Sequence, residues 1–137
     1  MNRAFKEYRT VQTITAPGLE LVLMLYRGGI KFLNSAVAAL ERQEIEQAHN
    51  ALVRAQDIVR ELRTTLDAGR GGELATELER LYLYCEERLL EANLHKDPKA
   101  AIEVRVLLQE LAAAWEGVKS NAAARAGGAA AVDGLSG

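Results

Sequence analysis

Seven apolar residues in the middle of the chain, Ile45, Ala48, Leu52, Ala55, Val59, Leu62 and Leu66, recur at alternating steps of three and four. That spacing holds a seam on one face of an α-helix for three heptads, and a strand, with its period of two, does not produce it. A helix apolar on one side has to be covered by others, and the same sequence supplies them. A first helix, from about Pro17 to Leu40, carries Leu19, Val22, Tyr26, Ile30, Leu33, Val37 and Leu40 on one face. A third follows Gly71-Gly72 with Leu74, Leu78, Leu81, Cys85, Leu89 and Ala92, and a last one shows Val104, Leu108, Leu111, Trp115 and Val118.

The punctuation between these segments agrees. Asp97-Pro98 is a strong helix start, because the carboxylate can accept orphan N–H groups and Pro fits the first helical position. Gly69, Gly71 and Gly72 supply the permissive φ between the second and third helices, and a tight turn is expected near Arg42-Gln43-Glu44. Thr15-Ala16-Pro17 is a weaker start, since Ala cannot cap and Gly18 follows in the first turn. Segments of about 22 residues are about 33 Å long, and short connections make neighbours antiparallel. The expected fold is all-α, an antiparallel up-down-up-down four-helix bundle over residues 17–120. Residues 1–16, with Phe5, Tyr8 and Val11 among polar residues, read as an N-terminal arm or cap helix. Residues 121–137, in which eleven of the residues are Ala or Gly, read as a disordered or frayed tail.

Composition narrows the function. Hydrophobic residues are 49% of the 137 and charged residues 26%, as in one folded domain. Lys and Arg number 17 against 19 Asp and Glu, without the basic excess that a phosphate-neutralising protein carries, so no nucleic-acid partner is expected. The single Cys85 excludes an internal disulfide and a thiolate zinc site. The N-terminus has charges throughout and no apolar core, unlike a secretory signal. The longest apolar run, Leu21 to Leu25, is far short of the roughly 20 residues that cross a bilayer. A cytoplasmic protein without membrane insertion is expected.

Catalytic material is sparse. His49 and His95 lack a second ligand at i+4, where Val53 and Lys99 stand, so no metal site is expected. No cofactor is expected either: Gly69-Arg-Gly-Gly lacks the spacing and the preceding strand of a phosphate loop. Cys85, between Leu81 and Leu89, reads as a small core hydrophobe, and Trp115 as a core anchor. His49 allows one sharper alternative, a four-helix-bundle histidine phosphotransfer module, but the Gly that lets a phosphoryl group approach does not follow it. The chain is not expected to be an enzyme.

More informative is a surplus of apolar surface. The first helix has a second stripe, Leu21, Leu25, Gly28, Phe32, Ala36 and Ala39, and the third adds Leu83, Leu90 and Leu94 beside Tyr82 and Tyr84. Such helices are apolar over more than the usual 100° or so. Part of the excess covers the flanks of neighbouring helices. The remainder points to grooves for amphipathic segments of another chain, or alternatively to a homodimer interface.

At this point the residues resemble a family, the flagellar secretion chaperones, over roughly residues 8 to 119. The blocks are Gly71-Gly72-Glu-Leu-Ala through Leu81-Tyr82-Leu-Tyr84, Arg88-Leu-Leu-Glu-Ala92-Asn93, Ala114-Trp115, Leu21 to Leu33 around Leu25-Tyr26-Arg-Gly28, and Ala55 to Leu62. Tyr8, nine residues before Pro17, matches the family's N-terminal tyrosine. The chain departs from the pattern with Ala16 before Pro17 in place of Ser, Arg27 and Leu83 in place of acidic residues, and Cys85 in place of Met. The resemblance implies an export chaperone that binds the disordered C-terminal segment of flagellin, prevents premature polymerisation and passes it to an export-gate component of the flagellar type III apparatus. It implies a free monomer, with a dimer as the alternative. It implies cargo contacts at Phe5, Tyr8 and Val11 of the arm and at Leu21, Leu25, Tyr26, Tyr82 and Leu89 in grooves, where each of these five is also a candidate for the core.

Overall fold

The computed structural model describes residues 6, 9, 15, 18–67, 69 and 71–136, with side chains as far as residue 124. Four helices follow one another: α1 (Leu19–Glu41), α2 (Ile45–Thr64), α3 (Gly72–His95) and α4 (Pro98–Ser136). Each packs on its neighbour in sequence, and α1 also packs on α4, closing the ring of a four-helix bundle.

Two of the three connections use the same device. Gln43 (φ 59°) and Lys96 (φ 52°) are left-handed, and the residue after each donates its N–H back into the helix, Glu44 to the Ala39 carbonyl at 2.8 Å and Asp97 to the Ala92 carbonyl at 3.0 Å. This closure satisfies carbonyls the helix end would otherwise leave open. Asp97 then caps α4 as its sequence predicts: Oδ1 accepts the Lys99 N–H at 2.9 Å.

Gly18 has a different role from the one the sequence suggests. It lies outside the helix, as the N-cap residue of α1, with φ 87° and ψ 168°. That region of backbone space is essentially open to glycine alone. Its N–H donates to the Thr15 carbonyl at 3.2 Å, and Thr15, itself buried, forms an antiparallel bridge with Leu66 after α2. A Cβ on Gly18 would meet nothing within 4 Å, so any effect of adding one is purely conformational. Gly18→Ala is therefore expected to lower the unfolding free energy by about 1–3 kcal/mol, read from denaturant midpoints.

One core runs the length of the bundle. Leu33 from α1, Leu52 and Val59 from α2, Cys85 and Leu89 from α3 and Val104 and Leu108 from α4 are all fully buried in it. The seam of α2 is realised at Ala48, Leu52, Ala55, Val59 and Leu62. At its ends Ile45 is exposed, while Leu66, two residues past the helix, is half-buried against the core. By length and composition α1 would also pass as a membrane-crossing helix, with a mean hydropathy of 1.2, although its longest unbroken apolar run is only Leu21 to Leu25. Its apolarity has a local explanation: ten of its 23 residues are buried against the other helices.

The last helix continues to Ser136, through the stretch whose composition predicts a disordered tail. Alanine, the commonest residue there, has the highest helix propensity. Ala122 is the last buried side chain described in α4.

Candidate functional site

The second stripe of α1 divides into two parts. Towards its C-terminal end α2 covers it: Ala36 and Ala39 are buried, Arg54 lies over the Phe32 ring at 5.8 Å, and Ile58 presses on Gly28. Towards its N-terminal end Leu21 remains 42% exposed and Leu25 half-buried, with Met24 beside them at 62%. The apolar excess that composition and spacing revealed is thus partly interface and partly open surface.

On α3 the expected surplus is also exposed. Leu83, Leu90 and Leu94 face outwards, with Leu94 at 70%, while Tyr84 hands its hydroxyl to Glu103 on α4. Glu103 also accepts from Arg88 at 3.1 Å, so that side of α3 is tied to α4 by a polar cluster. On its other side Arg63 of α2 grips Glu86 at 2.6 Å.

Three of the five candidate groove residues belong to the interior instead. Tyr26 is fully buried, Tyr82 2% exposed and Leu89 fully buried. The two phenol oxygens meet at 2.5 Å across the bundle's diagonal, and Trp115 Nε1–H donates to the Tyr26 oxygen at 3.2 Å. Their rings are 6.4 Å apart and tilted by 53°. Burial pushes both phenols above their ordinary pKa of 10, so both stay neutral hydrogen-bonding groups. Among the described residues no buried side-chain polar atom lacks a partner. Periodicity alone left core and groove open for these tyrosines; the diagonal hydrogen bond, which no helical wheel displays, decides their place.

Phe5, Tyr8 and Val11 lie outside the described residues. Met24, Ile45, Val53 and Val106 are exposed apolar residues that the sequence reading did not single out as surface. The signal for Met24 was available, since it lies next to the open end of the second stripe.

The remaining reactive groups have other positions. Cys85 is buried, and burial first of all pushes its thiol up to about 12, which keeps it protonated. His49 is exposed, with its Nδ1 3.0 Å from the Asn93 amide nitrogen. Lys96 Nζ donates to the Asn93 side-chain oxygen, which itself lies 3.2 Å from His49 Nδ1. No group of three or more His, Cys, Asp or Glu that could hold a metal occurs among the described residues.

A closed bundle with satisfied polar groups and apolar side chains left open on its outer faces defines a protein-binding scaffold. Comparison with known proteins gives the particular kind. Residues 1–122 match the family described as flagellar protein FliS. Flagellar secretion chaperone FliSB of Pseudomonas aeruginosa is 38% identical over 120 residues, 85% of this chain and 95% of the relative. Flagellar secretion chaperone FliS of Bacillus subtilis is 36% identical over 110 residues, 80% of each chain, and that of Salmonella typhimurium 38% over 104, 75% and 77%. The chain belongs to the FliS family of flagellar secretion chaperones.

Proposed function

We propose that this chaperone binds the disordered C-terminal segment of flagellin in the cytosol as a monomer, keeps it from polymerising, and delivers it to an export-gate component of the flagellar type III apparatus. The observation that carries the reading is the open apolar end of α1, Leu21, Met24 and Leu25, on a bundle whose interior is already complete. Such a surface offers burial to an incoming helix without requiring the host to rearrange. The free segment loses conformational freedom on ordering, and that loss consumes most of the energy of apolar burial, leaving binding strong but reversible. The arm residues Phe5, Tyr8 and Val11 contribute further contacts. Tyr26, Tyr82 and Leu89 act indirectly, by holding the helices that present the surface.

Calorimetric titration with a peptide covering the last 50 or so residues of the cognate flagellin tests this. The expected result is saturable one-to-one binding, a negative heat-capacity change and a gain of helix in the mixture. Leu21→Glu combined with Met24→Glu is expected to weaken binding by tenfold or more, about 1.4 kcal/mol, with the melting temperature nearly unchanged. An unaltered affinity in that variant places the cargo elsewhere.

A further inference from the structure

The open end of α1 leaves a second apolar area unaccounted for, on the flank where α2 meets α3. His49 meets Asn93 near one end of the antiparallel α2–α3 pair, and the long side chains of Arg63 and Glu86 join further along it. Counted antiparallel from the His49–Asn93 contact, Val53 falls level with Leu90 to within a residue, and Ile45 falls beside the C-terminal end of α3. Leu83, Leu90 and Leu94 are spaced seven and four apart and share this flank, because each is offset towards α2 from the outward side of α3. Ile45 is 52% exposed, Val53 36%, Leu83 40%, Leu90 51% and Leu94 70%. From Leu83 to Leu94 the stripe runs about 16 Å, three turns of a helix.

The segment that carries this stripe is acidic. Residues 44–97 carry seven Lys and Arg against twelve Asp and Glu, a net charge of −5, while the rest of the chain is at +3. Part of the acidity is neutralised locally, at Glu86 by Arg60 and Arg63 and at Asp57 by Arg60. Glu46 and Glu87 are exposed and make no ion pair among the described residues. Both sit in the stripe: Glu46 is one heptad before Val53, and Glu87 is four residues after Leu83, three before Leu90 and seven before Leu94.

We propose that the α2–α3 flank is a second docking surface, whose occupant is a basic amphipathic helix of another protein. The apolar stripe receives the partner's Leu or Ile residues at i, i+4 and i+7, and Lys or Arg beside them meet Glu46 and Glu87. A second copy of this chain fits poorly, because a two-fold contact sets the same acidic segment against itself. An anionic lipid surface is repelled by the same charge. This surface lies apart from the α1 patch assigned to cargo, so the two readings stand or fall separately.

The test uses the full-length chain and two synthetic helical peptides with the same leucine stripe, one flanked by Lys and one by Glu, titrated while amide resonances of α2 and α3 are followed. The Lys-flanked peptide is expected to bind at least tenfold more tightly, to weaken as salt is raised, and to shift residues around Val53, Leu90 and Leu94. Leu90→Ser with Leu94→Ser, at two side chains more exposed than buried, is expected to abolish the shifts while circular dichroism stays the same. Glu46→Lys with Glu87→Lys is expected to invert the preference. Equal affinities for the two peptides overturn the proposal, as do unchanged shifts in the serine variant. So does a dimer that the serine variant dissociates, or displacement of the Lys-flanked peptide by the flagellin segment.

Discussion

Replacing Tyr82 by alanine is expected to lower the unfolding free energy by about 3–5 kcal/mol, as for other large aromatic truncations in a packed core. The side chain is 2% exposed, so almost none of the space it vacates is open to solvent. The loss has a polar part as well: without Tyr82 the Tyr26 hydroxyl keeps the Trp115 N–H but loses its partner across the diagonal. Tyr82→Phe isolates that part, because it retains the ring and removes only one hydroxyl. It is expected to lower stability by about 1–2 kcal/mol. Helix-monitored denaturant unfolding of both variants checks the two values. A Tyr82→Ala variant that melted normally and lost only flagellin binding would return the residue to the surface.

Gly29→Val is expected to destabilise by about 2–3 kcal/mol, through overpacking. A Cβ at this position already comes within 3.2 Å of Leu108 Cδ1 on α4 and 3.4 Å of Ile58 Cγ2 on α2. The two added methyl groups have no direction in which to yield, since α1 is wedged between both neighbours and Leu108 is itself fully buried. Unfolding midpoints measured beside a Gly29→Ala control separate the Cβ contact from the branched methyls, and the alanine variant is expected to lose less. Equal stability of all three proteins would show that α1 does not approach the other helices this closely.

Much of this fold is legible in the sequence because helical period and capping chemistry are local. The α2 seam, the Asp97 cap and the turn at Arg42-Gln43-Glu44 each follow from residues within a few positions of one another. What was not legible depends on neighbours distant in sequence. The second stripe of α1 gives no hint that Ala36 and Ala39 are covered while Leu21 is open, since that boundary is set by where α2 packs. Tyr26 stands on the seam of α1 and Leu21 on its second stripe, yet both are candidates for the groove, and it is the meeting of Tyr26 with Tyr82, 56 residues away, that puts Tyr26 inside. Gly18 reads as a poor helix residue, and its value as a backbone hinge emerges only with its φ of 87°. The family resemblance named the protein class, and of its five described contact candidates, each open to groove or core, Leu21 and Leu25 keep open surface while Tyr26, Tyr82 and Leu89 are interior.

Trp115 is the only tryptophan in the chain, and it touches two parts of the molecule at once. Its indole N–H reaches the Tyr26–Tyr82 pair, and its ring packs against Leu19 and Leu23 in the first turns of α1. Its fluorescence is therefore a built-in optical gauge of the junction between the bundle's interior and the end of α1 that carries the proposed cargo surface. An emission maximum that stays in place as cargo is added, and moves to longer wavelength only in denaturant, is the signature of a host that receives its guest as a rigid body.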